Sequence, residues 1–260
     1  MSAGAAAGEV LIRKCSGLDD FNACVALQKE VWAFDDLDVI PQRMFTVADK
    51  IGGQVIGAFY GAQLVGFALA IPGNRNGHLY LHSHMLAVRE PYRNSGLGRR
   101  LKLAQYDDAV ARGFELMEWT FDPLEIKNAY LNIERLGAIA RRYTVNQYGI
   151  TSSKLTGGLP TDRLVAEWWL KSKRVQAKIT TGNNPPFTTV TTIDVPAEIY
   201  AWKANPADRD QAAATQLRVR TAFLAAFDQD LAVLGYERDP AGNGRFLLGR
   251  WDEDWSYAVK

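Results

Sequence analysis

The residues whose types and spacing could carry chemistry begin with Met85-Leu86-Ala87-Val88, an apolar run leading to Arg93-Asn94-Ser95-Gly96-Leu97-Gly98-Arg99-Arg100 and then a long amphipathic stretch. Glycines at a helix start let backbone N–H groups turn inward, where unpaired donors and the positive end of the helix dipole favour a phosphate or pyrophosphate. Arg93, Arg99 and Arg100 add charge there. The local physics points to an anion site, while glycines also begin many helices for steric reasons alone. His82 and His84 alternate with Ser83 and Met85 on the run entering this turn. A strand would place both imidazoles on one face, and an unperturbed histidine titrates near neutrality. That suits a general base; it equally suits a polar face packed under other structure. Glu118 stands between Met117 and Trp119 in a compact apolar run. A half-buried carboxylate there could have a raised pKa and act as base, directly or through water, or it could pair with an arginine.

A dinucleotide-binding fold uses the same Gly-rich device, but directly after its first strand. Here the turn follows the fourth strand-like run, and it lacks the third glycine and the acidic residue some 20 positions on at the tip of a second parallel strand. A Walker loop is excluded because Arg99, and no Lys-Ser or Lys-Thr pair, follows Gly98. Elsewhere, Asp162-Arg163 and the late Arg209, Arg218 and Arg220 could recognise a carboxylate on a ligand. An internal ion pair and a solvated helix face are the plain readings. Trp168-Trp169 reads as packing between lobes, or as the wall of a pocket.

The elements that must position these residues are legible from periodicity. Val10–Cys15 reads as a strand, Leu18 to about Trp32 as a helix, and Pro41 suits the first turn of a shorter helix through Ala48. Gln54–Tyr60 and Leu64–Ile71 flank a short turn and read as an antiparallel hairpin. Leu79–Val88 is a further strand, Gly96–Arg112 a helix closed by Gly113, and Leu116–Phe121 a strand broken at Asp122-Pro123. Glu125–Leu136 reads as a helix stopped by Gly137, and Tyr143–Tyr148 as one more strand. This order implies an α/β sandwich. Past Gly149 the composition turns to Thr, Ser, Gly and Pro, which places a boundary near Thr156. Beyond it lie apolar runs at Leu164–Leu170, Thr188–Ile193 and Ile199–Trp202, a helix from Asp208 to about Leu231, and a hairpin of Ala232–Arg238 with Phe246–Trp251. This ending weakly echoes the first domain, as a degenerate half-repeat would.

The chain has 260 residues, enough for a substantial core and a second lobe. Its 30 basic and 29 acidic side chains leave no global field to draw it to nucleic acid or an acidic membrane. The two cysteines, Cys15 and Cys24, match neither a disulfide framework nor a zinc site. No apolar run approaches the roughly 20 residues that span a bilayer, and Met1–Gly8 reads as a frayed tail without signal-peptide character. A cytoplasmic protein is expected.

Strand, Val88, Arg93-x-x-Gly96-x-Gly98 and helix together resemble the coenzyme A signature of the GNAT acyltransferase superfamily, and the order of elements from Val10 to about Gly149 is similar to that family's. Asn128-Ala129 before Leu136-Gly137 resembles the family helix that flanks pantetheine. The resemblance implies a mixed, mostly antiparallel central sheet flanked by helices over residues 9–155, with a smaller α+β lobe over 156–260. It implies that Leu86, Ala87 and Val88 hold pantetheine through main-chain groups, that Arg93, Asn94, Ser95, Gly96, Leu97, Gly98 and Arg99 cradle the pyrophosphate, and that Asn128 lies beside the pantetheine. The co-substrate would be acetyl-CoA or another acyl-CoA, with no metal, and the reaction N-acylation of a small-molecule amine, an amino acid among them. A succinyl donor and a non-catalytic acyl-CoA sensor are the alternatives. The second lobe would cover the acceptor cleft, a homodimer is compatible, and neither nucleic acid nor membrane is an expected partner. Aminolysis of a thioester needs a base, a donor to the carbonyl oxygen and an acid for the thiolate. His84 and Glu118 are the candidate bases. Where the family often has its tyrosine acid this chain has Ile133, which leaves Tyr130 and Tyr143, both near that place in the sequence, as substitutes.

Overall fold

The structure is a computed structural model describing residues 9–149 and 156–257. The tail expected at Met1–Gly8 lies outside these residues, as do positions 150–155, just before the boundary expected near Thr156. The chain divides into two compact units: residues up to Pro72 with Ser83–Arg112, and Gly73–His82 with Gly113 onward.

In the first unit the strands β1 (Leu11–Lys14), β2 (Gln54–Tyr60), β3 (Gln63–Arg75) and β4 (His78–Val88) follow one another, and β3 and β4 also contribute to the second unit. β1 and β2 pair antiparallel with Leu11 opposite Phe59, and β2 and β3 with Gln54 opposite Ala70. Alternation along β2 explains the layers. Val55 and Phe59 join Phe21, Leu27, Phe45 and Phe67 under α1 (Gly17–Trp32) and α2 (Gln42–Lys50). Ile56 and Ala58 face the other way, onto Leu97 and Leu101 of α3 (Leu97–Ala111). Each large apolar side chain so buried contributes about 1.5–3 kcal/mol, enough to fix which helix covers which face.

In the second unit the start of β4 lies beside β5 (Leu116–Phe121), followed in order by β7 (Arg163–Trp169), β6 (Ile139–Thr144), β9 (Leu231–Arg238), β10 (Gly244–Arg250) and β8 (Thr191–Val195). β4 and β5 are parallel, with Leu81 opposite Met117 and His82 opposite Glu118. The other pairings are antiparallel. α4 (Ile126–Ala129), α5 (Lys173–Thr181), α6 (Ile199–Ala204) and α7 (Arg209–Phe227) complete the unit. α7 packs on β6, β8 and β9, with its Phe223 ring 5.8 Å from Tyr143 and 5.0 Å from Phe246. β7, from the later part of the chain, pairs with both β5 and β6, so strand pairing crosses the boundary expected near Thr156. Among the described residues no helix is long and apolar enough to cross a membrane.

Three elements differ from the sequence reading. The helix expected over Glu125–Leu136 is a short α4 that continues as a π-helical turn over Tyr130–Arg135, closed by the Leu136 N–H donating to Leu131 at 3.0 Å. The strand expected at Tyr143–Tyr148 runs over Ile139–Thr144 instead. It ends because Asn146 turns to φ 47° and the turn is clasped by Thr161 and Asp162. Asn146 N–H donates to Asp162 Oδ1 at 3.0 Å, Gln147 N–H to the Thr161 carbonyl at 3.0 Å and Tyr148 N–H to Thr161 Oγ1 at 2.9 Å. The Thr161 hydroxyl in turn donates to Gly149 at 3.0 Å, and its N–H to Asn146 Oδ1 at 3.1 Å. α5 is an addition to the reading. Its Ser172 cap accepts from Val175 N–H at 3.2 Å, and Gly182 closes it at φ 78°.

Candidate functional site

The Gly-rich turn belongs wholly to the first unit. β4 ends at Val88, a 3₁₀ turn spans Glu90–Tyr92, and a tight turn over residues 93–96 delivers the chain to α3. Asn94 and Gly96 take left-handed conformations, φ 61° and 81°. Asparagine and glycine are the residues that adopt this region at least cost. The turn is braced from within: Ser95 Oγ donates to the Tyr92 carbonyl at 2.7 Å, and Arg93 N–H to Glu90 at 3.0 Å. Leu97, buried against the β2 face, anchors the helix. Residues 93–96 are exposed, and a Cβ added at Gly96 would meet no atom within 4 Å. The first N–H groups of α3 have no acceptor one turn back, as at any helix start. The result is an exposed set of backbone donors at the positive end of a 15-residue helix.

The basic residues around the turn are not equivalent. Arg93 Nε donates to the Val88 carbonyl at 3.0 Å, so the expectation that this main-chain group is offered outward meets a side chain already on it. Arg100 reaches away, to the Val10 carbonyl at 2.8 Å. Behind the turn, Lys102 of α3 is buried and donates to Ser83 Oγ at 2.8 Å and Gln105 Oε1 at 3.3 Å. Burial holds its pKa well below the lysine norm. Ser83 thus faces α3, as Leu86 and Val88 do, while Met85 and Ala87 join the α1–α2 cluster. The two-residue alternation of β4 therefore breaks at His84. His84 is an exposed residue, yet it is surrounded closely enough that loss of solvation lowers its pKa below 6.5. It is neutral at pH 7, the form a base requires.

The second unit holds Glu118 and Tyr143 in separate networks. Glu118 is buried and directly opposite Glu167 of β7. Like charges so placed repel, and arginines offset them. Arg75 grips Glu118 with both ends of its fork, at 2.9 and 2.6 Å. Arg142 bridges the carboxylates, 2.6 Å from Glu118 and 3.1 Å from Glu167. Arg141 and the Trp169 indole reach Glu167 at 2.5 and 3.0 Å. Consecutive arginines serve one face because β6 carries a bulge between Ala140 and Arg142. Burial alone would raise the Glu118 pKa; the hydrogen bond from Arg75 and the charge of Arg142 more than offset it, and the net shift is downward. A carboxylate so held is a weak proton acceptor. Tyr143 donates its hydroxyl proton to Asp162 at 2.6 Å. Burial first, and this hydrogen bond next, push its pKa up. Asp162, with no exposed surface, also takes both ends of the Arg220 fork at 2.7 and 3.0 Å. The late arginine is thus an internal partner. Asn128 is exposed on α4. Sequence reasoning missed Arg75, Arg141, Arg142 and Glu167; the available signal was a glutamate standing mid-strand among apolar residues twice over.

An open, mostly antiparallel sheet flanked by helices, with a strand feeding a Gly-containing turn and a helix, is the architecture of the GNAT acyltransferases. Residues 20–130 match the family model described as the Acetyltransferase (GNAT) family. Solved structures share the fold. The ribosomal-protein-S18-alanine N-acetyltransferase of Escherichia coli aligns with TM-score 0.51 and 16% identity over 63% of this chain and 96% of its own. An N-acetyltransferase of Staphylococcus aureus aligns with TM-score 0.52 and 15% identity over 63% and 99%. The Salmonella typhimurium protein yncA, solved with its cofactor acetyl-CoA, aligns with TM-score 0.51 and 15% identity over 63% and 95%. A search of curated protein sequences returned no significant match.

Proposed function

We propose that the protein is an N-acyltransferase that moves an acyl group, acetyl by default, from acyl-CoA to the amine of a small molecule, an amino acid among the candidates. The observation that carries this reading is the turn at residues 93–96, left-handed at Asn94 and Gly96, exposed, and opening directly onto α3. Its N–H groups fit a pyrophosphate, with Asn94, Ser95, Gly96, Leu97, Gly98 and Arg99 supplying the cradle and Arg93 a charge at its rim. Leu86, Ala87 and Val88 are proposed along the pantetheine. The amine nitrogen attacks the thioester carbonyl in a ternary complex, the new C–N bond forms as C–S breaks, and the amine proton passes to a base. His84, neutral at pH 7, suits that role better than Glu118, which two guanidinium groups hold ionised, or Tyr143, whose proton is engaged by Asp162. The thiolate then leaves without a protein acid.

Calorimetric titration with acetyl-CoA tests the cofactor site. Binding at micromolar Kd in wild type, lost in Gly98→Glu, is expected; retained affinity in the variant, or no binding of any acyl-CoA, overturns the reading. His84→Ala is expected to lower turnover without weakening coenzyme A affinity. The engagement of Glu118 and Tyr143 favours a second reading, an acyl-CoA-binding protein without turnover, which would bind acetyl-CoA yet release no coenzyme A with any amine.

A further inference from the structure

The arginine network over Glu118 and Glu167 is an expensive way to fill one face of a sheet. Buried ion networks are often no more stabilising than apolar side chains of the same volume. This one sets two carboxylates opposite each other and spends a β-bulge, a device that re-aims side chains, to bring two successive arginines to them. The carboxylate oxygens are all used: Glu118 by Arg75 and Arg142, Glu167 by Arg141, Arg142 and Trp169. The guanidinium groups are not. Arg75 Nε, Arg142 Nη1, and Arg141 Nε and Nη1 have no acceptor among the described residues, and the side chains are 29%, 41% and 28% exposed. Three guanidinium groups against two carboxylates leave one positive charge in excess. Aromatic rings flank the group: Tyr80 lies 4.8 Å under the Arg75 guanidinium, and Trp255 offers Arg141 its carbonyl at 2.9 Å while stacking on Trp169.

We propose that Arg75, Arg141 and Arg142 form a preorganised receptor for an organic monoanion, the carboxylate of a substrate, with Glu118 and Glu167 holding the guanidinium groups in place so that their unengaged N–H groups remain available to the ligand. Guanidinium groups held by buried carboxylates lower the ordering cost of binding, and a planar fork matches a carboxylate in bidentate fashion. An excess of one charge fits a carboxylate better than a phosphate dianion. As a statement about substrate this rests on the acyltransferase reading, and it makes Glu118 a positioning residue. The carboxylate belongs either to the acceptor, as in an amino acid, or to the far end of a dicarboxylic acyl group.

The test begins without turnover. Arginine side-chain N–H resonances of the full chain are followed by NMR during titration with succinate, alanine, succinamide, alaninamide and inorganic phosphate. Saturable shifts of the Arg75 and Arg142 signals by a carboxylate and by neither amide are expected, with affinity at least about tenfold lower in Arg142→Lys, which keeps the charge and loses the fork. No saturable shift, an equal response in Arg142→Lys, or tighter binding of phosphate overturns the proposal. A second set of assays separates the sources. If the acceptor supplies the carboxylate, alanine is acylated in preference to alaninamide and Arg142→Lys raises KM for alanine alone. If the acyl group supplies it, succinyl-CoA is preferred to acetyl-CoA and the variant abolishes that preference. A protein indifferent in both comparisons refutes the site's role in substrate choice. Failure of the transferase reading would show as no turnover with any pair, and the NMR titration would still decide whether the receptor exists.

Discussion

Arg220→Ala should destabilise the second unit by about 2–4 kcal/mol, although the residue lies on a late helix far in sequence from its partner. Asp162 has no exposed surface and accepts from Tyr143, from the Asn146 N–H and twice from Arg220. Deleting the arginine removes both charge-assisted bonds and leaves a buried carboxylate with neutral donors alone. Breaking a buried pair from one side costs about 3–5 kcal/mol. The Arg220 side chain is itself 24% exposed, so water replaces part of what is lost, which sets the lower range. With a urea m-value of about 3 kcal/mol/M, toward the top of the usual range for a chain of this size, the midpoint should fall by roughly 1 M. Tyr143→Phe removes one neutral donor and should cost about 1–2 kcal/mol. The double variant should lose less than the sum, because both act on one carboxylate. Urea unfolding followed by tryptophan fluorescence measures all three. A loss below about 1 kcal/mol in Arg220→Ala would place the pair with ordinary surface ion pairs and refute this reasoning.

Two further perturbations follow from the titrating groups. The folded pKa of Lys102 lies below its ordinary 10.5, so the unfolded chain binds a proton the folded chain does not, and stability rises with pH up to that value. Lys102→Met should remove this slope and be more stable at pH 7; parallel thermal-unfolding curves for variant and wild type between pH 6 and pH 10 would contradict it. For Glu118 the folded pKa is depressed below 4.5, so its contribution is complete above that value and lost as pH falls through the folded pKa. Glu118→Gln should lower Tm at pH 7 by replacing the carboxylate that Arg75 and Arg142 share with a neutral amide, and should flatten the acid limb of stability against pH. An unchanged acid limb would mean the ion pairs add nothing.

Most of the fold's positioning logic was legible because it rests on local patterns. The alternation of β2, the Pro41 start of α2 and the left-handed Gly96 opening α3 are each set by a few neighbouring residues. The Gly-containing turn at residues 93–96 was readable for the same reason. What escaped depends on long-range pairing. Arg75, Arg141 and Glu167 acquire meaning only once β5, β6 and β7 lie side by side, and the Ala140–Arg142 bulge that turns Arg141 and Arg142 to one face has no period to betray it. The π-helical turn at Tyr130–Arg135 escaped because it keeps helical composition and changes only the hydrogen-bond step. Arg220 looked like a solvated charge because its partner stands 58 positions away.

The clasp of Asn146, Gln147, Tyr148 and Gly149 on Thr161 and Asp162 acts as a rivet between the end of β6 and the approach to β7. Because main-chain and side-chain bonds tie these two stretches directly, they should open as one cooperative piece. In hydrogen exchange the Asn146, Tyr148 and Thr161 amides should therefore become labile together, and Thr161→Val, which removes the acceptor of Tyr148 N–H, should loosen the whole rivet.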